Sequence, residues 1–275
     1  MGFLLIMKAE VVRSFIITRR YWFRTLTGLV VGYSMLMVLI WGFIYSQDGV
    51  QDTLSTNRDP TQFVLGFLIG MLAFGVIGMF TQGLQGMATT GVLEQLCMSP
   101  HGLITNFLAR SIVAAISTVL SSAILLWLIT LTMDGRVYFH PVNVPILLFL
   151  TYMNVLGFGF MMGGLVLVFK QVGQIAVLIR MGLFALAIFA SEKELEKMSG
   201  WFTAVMHSLP IADAAICLKW ILIQGHTVVD GKSLIMDQPS FFFLILNSIA
   251  WTFIGMTCFK LMEDWSRSKG TLGGY

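Results

Sequence analysis

The sequence predicts an all-α polytopic membrane protein with six transmembrane helices. An N-terminal interfacial amphipathic helix, a short cytoplasmic loop helix and outer re-entrant helices before the last span complete the expectation. Three observations predict this class. Hydrophobic residues make up 57% of the 275 residues and charged residues only 11%, against about 25% in an ordinary globular chain. Too few polar side chains remain to cover a soluble surface. Apolar runs of spanning length, roughly 20 residues, recur along the chain. Lysines and arginines gather on alternate sides of those runs. Disorder is excluded by the excess of apolar surface. The 27 glycines are not periodic and there are only 3 cysteines, so neither a collagen nor a disulfide scaffold fits.

The spans follow in order. Thr25 to Tyr45 is free of charge and forms the first. Phe63 to Phe80 is the second, extensible through the neutral stretch to about residue 85. Ser111 to Met133 is the third and Pro145 to Phe169 the fourth. The fifth, about 171–190, contains Arg180, and a charge at mid-helix costs about 3 kcal/mol on insertion scales. Phe241 to Leu261 is the sixth, with Lys260 at its end. Between the last two lies Trp201 to Gln224, interrupted by Pro210 and Asp213, which reads as re-entrant or interfacial.

Charge placement orients the spans. With the N-terminus inside, eleven cations fall inside (Lys8, Arg13, Arg19, Arg20, Arg24, Arg110, Lys170, Arg180, Lys260, Arg267, Lys269). Six fall outside (Arg58, Arg136, Lys193, Lys197, Lys219, Lys232). Both termini are therefore expected in the cytoplasm, in a cell (inner or cytoplasmic) membrane. No signal peptide is expected, because Phe3 to Met7 is short and lacks a basic leader. Ile6 breaks the myristoylation pattern, and the C-terminus is no prenylation box.

The N-terminal segment, residues 1–24, carries Val11, Val12, Phe15, Ile16, Trp22, Phe23 and Leu26 at helical spacing. Arg13, Arg20 and Arg24 lie on the other face, as in a helix lying along an anionic leaflet. The plainer reading is a positive-inside anchor. After span two, Gly91-Val92-Leu93-Glu94-Gln95-Leu96-Cys97-Met98-Ser99-Pro100 reads as a one-to-two-turn amphipathic helix within about residues 88–100. An ordinary connecting helix is the alternative. Ser191 and Glu194 form a capping box that predicts an outer helix with a solvated face. Gly28-xxx-Gly32, Gly66-xxx-Gly70 and Gly159-xxx-Gly163 each permit close helix packing, within the chain sooner than between copies.

Catalytic patterns are missing from the sequence. There is no H-E-x-x-H and no G-x-S-x-G. His101, His140, His207 and His226 are scattered, and Cys97 with His101 lacks a second metal-binding pair. Gly225 to Ser233 resembles a P-loop, but its spacing is one residue too long and no strand precedes it. No nucleotide, metal or nucleic-acid partner is expected on this chain. A proton-driven carrier would show a buried carboxylate, and Asp213 is the one candidate.

The order of parts resembles the permease subunit of type-2 ABC exporters over nearly the whole chain. Gly91-Val92-Leu93-Glu94-Gln95-Leu96 with Ser99-Pro100 looks like the family's G-T-L-E-x-L-x-x-(S/T)-P coupling-helix segment, with Val92 for the usual Thr. Leu209-Pro210 is similar to the family's L-P break before the outer re-entrant helices. The resemblance implies a second permease, copy or paralogue, and two cytoplasmic ATPase subunits that hold ATP and Mg. It implies a coupling helix docked on the ATPase through Glu94, and an outer gate at Leu209, Pro210 and Asp213. Leu209-Pro210 tilts the branch toward drug, peptide or lipid export. A membrane anchor or assembly factor for a peripheral complex remains the alternative.

Overall fold

Prolines mark helix boundaries here, because proline lacks the N–H a helix interior needs but fits a first turn. Pro60 and Pro239 each open a helix, Pro145 sits in a first turn, and Pro210 lies in a break between two helices. The computed structural model describes residues 2–47, 60–99, 102–133, 139–169, 173–191, 200–224 and 239–269. Pro100, His101, the capping-box residue Glu194 and the P-loop-like segment lie outside the described residues.

The described elements are α1 (Gly2–Arg20), α2 (Trp22–Gln47), α3 (Pro60–Gly78), a π-helical turn (Met79–Gly83), α4 (Leu84–Thr89) and α5 (Val92–Cys97). They continue with α6 (Gly102–Met133), α7 (Asn143–Val168), α8 (Gly173–Phe189), α9 (Gly200–Ser208), α10 (Ala212–Gln224) and α11 (Pro239–Ser268). No strand occurs among the described residues. The fold is an all-α polytopic membrane fold. Five described helical stretches are long and apolar enough to cross a membrane, and α9 with α10 would make a sixth if they were one span. α8, with 17 residues, is a shorter apolar helix of about 25 Å.

Contacts sort the elements to two ends. At one end Arg267 near the end of α11 donates to the Cys97 carbonyl that ends α5 (3.4 Å), and Ser266 donates to the Leu167 carbonyl of α7 (3.4 Å). Arg110 of α6 reaches Met87 Sδ of α4 at 3.3 Å, at this same end. At the other end Lys219 of α10 donates to the Ile188 and Ala190 carbonyls that finish α8. α1, packed against α6 beside Arg110, and the last turns of α11 therefore share the α5 end.

α7 and α11 form the closest helix pair. A Cβ on Gly255 would collide with the Gly157 carbonyl, and one on Gly157 with the backbone of Trp251 and Thr252. Small residues let two backbones meet this way. Thr252 donates to the Met153 carbonyl (3.0 Å) and Ser248 to that of Leu150 (2.9 Å) along the same seam. Gly66 and Gly70 make a second seam, against Ala187, Ile188 and Phe184 of α8. Gly159 and Gly163 receive Phe80, Leu84 and Phe259. Gly28 meets nothing within 4 Å and Gly32 only Leu125, so the first glycine motif is no seam. The two remaining glycine motifs pack within the chain. α3 and α7 form the buried centre, while α2, α6 and α11 turn Val38, Trp41, Leu120, Trp127, Ile249 and Phe253 outward, as hydrocarbon requires.

Several boundaries differ from the sequence expectation. The N-terminal helix stops at Arg20, so Trp22 and Arg24 belong to α2. Residues 88 and 89 belong to the helix before the loop, and α5 keeps only Val92–Cys97. α6 begins at Gly102, so Arg110 lies inside it, and α11 runs on to Ser268. Apolar run length marks the hydrocarbon stretch, and a helix continues past it until a cap stops it.

Candidate functional site

α5 stands between two glycines in the left-handed region, Gly91 (φ 72°) and Gly102 (φ 71°). Neither would meet a neighbour through a Cβ, so backbone conformation, not space, calls for glycine there. Leu93 is 0% exposed and anchors the helix, while Glu94 and Gln95 are exposed and Leu96 is half-buried. Ser99 lies beyond the helix, 3.5 Å from Asn106 of α6. Arg267 bridges Glu263 (2.5 Å) and the Cys97 carbonyl, tying α5 to the end of α11. Burial pushes the Cys97 thiol up against the pull of the Arg267 charge.

The second group surrounds the break between α9 and α10, which are bent by 87°. Leu209, Pro210 and Ile211 form the break, and Ile211 holds φ 83°, a strained value for a β-branched residue. Asp213, in the first turn of α10, is buried. Its Oδ1 lies 2.6 Å from His207 Nδ1, and Asn247 bonds the His207 carbonyl and stands 3.4 Å from Oδ2. The His207 ring stacks on Phe243 at 4.3 Å, and Trp251 Nε1 donates to the Ser208 carbonyl at 3.0 Å. Asn247 and Trp251 are 8 and 12 residues into α11 from Pro239, or roughly 12–18 Å along it. The pair thus descends beside α11, turns, and returns to the end of α8 at Lys219.

The residues expected at the membrane interface spread over two helices. Arg13 pairs with Glu10 at 3.1 Å, Arg20 lies over Tyr21, and Trp22 meets Phe23 edge to face. All of α1 from Val11 to Arg20, except Ser14, is exposed, so both its apolar and its basic residues face outward. Among the described residues no group of three His, Cys, Asp or Glu could hold a metal.

The family model for the ABC-2 type transporter matches residues 7–223. The chain belongs to the ABC-2 type transporter family. It is the transmembrane component of an ABC transporter, a multi-pass membrane protein, and membership implies a cytoplasmic ATPase partner. None of the curated proteins matches the chain. The matched residues of this ABC-2 chain run from α1 to α10 and include α5 and the break. Their partners Arg267, Asn247 and Trp251 lie beyond the match, on α11.

Sequence reading named Asp213 but missed His207, six residues earlier across Pro210, where a tight turn brings side chains together. It also missed Lys219 as a cap for α8 and Arg267 as a tie to α5. Those depend on contacts far apart in sequence, which one chain's periodicity does not carry.

Proposed function

We propose that this chain is one permease of an ATP-driven exporter for an amphipathic or lipid-like substrate. A second permease, copy or paralogue, completes the path, and separate ATPase subunits hold ATP and Mg. The observation that supports this best is α5. Its buried Leu93 fastens it to the bundle, while Glu94 and Gln95 face away and are free to meet a protein. Arg267 links it to α11, the helix that also bears Asn247 at the break. Motion of α5 is thereby connected along α11 to the opposite end. In this reading α5 and both termini face the cytoplasm, α1 lies in the inner-leaflet interface, and α9–α10 re-enter from outside to close the exit. The membrane is the cell inner membrane.

Co-expression with an ATPase encoded beside it tests the reading. The two are expected to co-purify, and Glu94→Lys to uncouple ATP hydrolysis from transport without loss of insertion. A Glu94→Lys permease that transports normally with its ATPase bound would overturn the coupling assignment.

A further inference from the structure

α8 carries one charged residue, Arg180, and the helix from Pro60 to Thr89 carries none. Arg180 is 3% exposed. Its guanidinium lies over the face of Phe74, 3.7 Å from the ring centroid. Gly78, one turn further along α3, leaves the space that the group fills, since a Cβ there would stand 2.5 Å from a terminal nitrogen. Nε and one terminal nitrogen are buried and have no hydrogen-bond partner. No carboxylate pairs with Arg180 among the described residues. The ring face attracts the cation but accepts no conventional hydrogen bond from its edge. Thr81, in the π-helical turn that follows Gly78, spends its hydroxyl on the Ile77 carbonyl. π-turns are frequent at functional sites.

A buried guanidinium with unpartnered donors is costly in a membrane span and is suited to an anionic partner. Nε and Nη1, on different edges of the guanidinium, each keep a donor that an oxygen of a carboxylate or phosphate can accept from. On α8, Leu178 and Met181 flank Arg180 in sequence and are exposed, as is Met71 on α3. Met71, on the face of α3 that carries Phe74 and Gly78, and Met181, next to Arg180 around α8, offer apolar contact to a chain attached to such a head.

We propose that Arg180 binds the carboxylate or phosphate headgroup of an anionic amphiphile that enters between α3 and α8. The proposal rests on the permease reading for the fate of the ligand, not for its binding.

The test uses the full chain in a neutral maltoside detergent. Dodecyl phosphate, dodecyltrimethylammonium and inorganic phosphate are titrated against the thermal midpoint. Dodecyl phosphate is expected to raise the midpoint by several degrees with saturation, and dodecyltrimethylammonium to have no such effect. Arg180→Met should abolish the shift, and Arg180→Lys, which keeps the charge without the planar set of donors, should need at least tenfold more ligand. If Arg180→Met does not fold, the lysine variant carries the comparison. An equal response in the variants, no response in the parent, or a saturating response to the cationic amphiphile would overturn the proposal. A response to inorganic phosphate equal to that of dodecyl phosphate would overturn the headgroup assignment in favour of a free anion. An ATPase that binds the chain while dodecyl phosphate gives no shift removes this site and leaves the permease reading. A shift without any ATPase association does the reverse.

Discussion

Asp213 Oδ1 stands 2.6 Å from His207 Nδ1, across the break that joins α9 to α10. Asn247 of α11 reaches both sides of that break, to the His207 carbonyl and the Asp213 carboxyl. The bend is therefore held by polar contacts as well as by Pro210. Ile211, in the left-handed region inside it, carries backbone strain of about 1–3 kcal/mol. Such a conformation persists only where its surroundings over-determine it.

Removing the carboxylate should expose this dependence. Asp213→Ala leaves the His207 ring and the Asn247 amide short of an acceptor, at an expected cost of about 1–3 kcal/mol. His207→Ala should cost a similar amount, because it also loses the Phe243 stack. The double variant should lose less than the sum, since both act on one network. Thermal unfolding of the detergent-solubilised chain measures all three. Additive losses would show that the two residues do not act together.

The glycine seams make a second prediction by contrast. Gly157→Ala places a methyl group against the backbone of Trp251 and Thr252, which no side-chain rotation can relieve. Overpacking commonly costs about 1–3 kcal/mol, and a backbone collision belongs at or above the top of that range. Gly28→Ala meets nothing within 4 Å. It should melt like the parent or slightly later, because alanine is the better helix former. Folded yield and melting midpoint read the difference. Equal behaviour of the two variants would deny that α7 and α11 meet at Gly157.

Much of the fold was legible because local signals carried it. Long apolar runs located the helices, and Gly91 and Pro210 marked a loop helix and a break. What escaped was decided by which helix faces which. Nothing near Arg180 in sequence names Phe74 or Gly78, about a hundred residues earlier. Gly255 lacks the four-residue spacing to another glycine, so the tightest contact was invisible as a motif. At the site, Leu93 and Glu94 were legible as a pair, but which one is buried depended on α6 and α4. Arg267 lay past the apolar run of the last span, where helix continuation depends on caps.

Topology is open to direct chemistry. In a chain whose Cys97, Cys217 and Cys258 are replaced by alanine, single cysteines at Gly49 or Asp230 should react with an impermeant thiol reagent from outside. Cysteines at Ser99 or Ser268 should react only after the membrane is opened. Ser99 and Ser268 lie at the α5 end of the bundle, so they should report together. External labelling at Ser99 would invert the orientation. A C-terminus open to external protease would do the same, or would make α9–α10 a crossing.

The last prediction separates the two faces of α5. Leu93 is an anchor with 0% exposure, so Leu93→Ala should cost about 2–4 kcal/mol by opening a cavity beneath the helix. Glu94 is exposed and touches no described side chain by hydrogen bond or ion pair, so Glu94→Lys should leave the melting midpoint of the isolated chain where it was. In the assembled transporter the order should reverse in character. Glu94→Lys should weaken ATPase binding or the stimulation of hydrolysis by substrate, through a like-charge or unpaired contact. Arg267→Ala should fall between them. It frees the Cys97 carbonyl and leaves Glu263 buried without its cation, so it should lower both the midpoint and the coupling. Melting of the chain alone, set beside ATPase activity in vesicles, distinguishes the three. A Glu94→Lys variant that melts like the parent and keeps full coupling would show that the exposed face of α5 is only a connector.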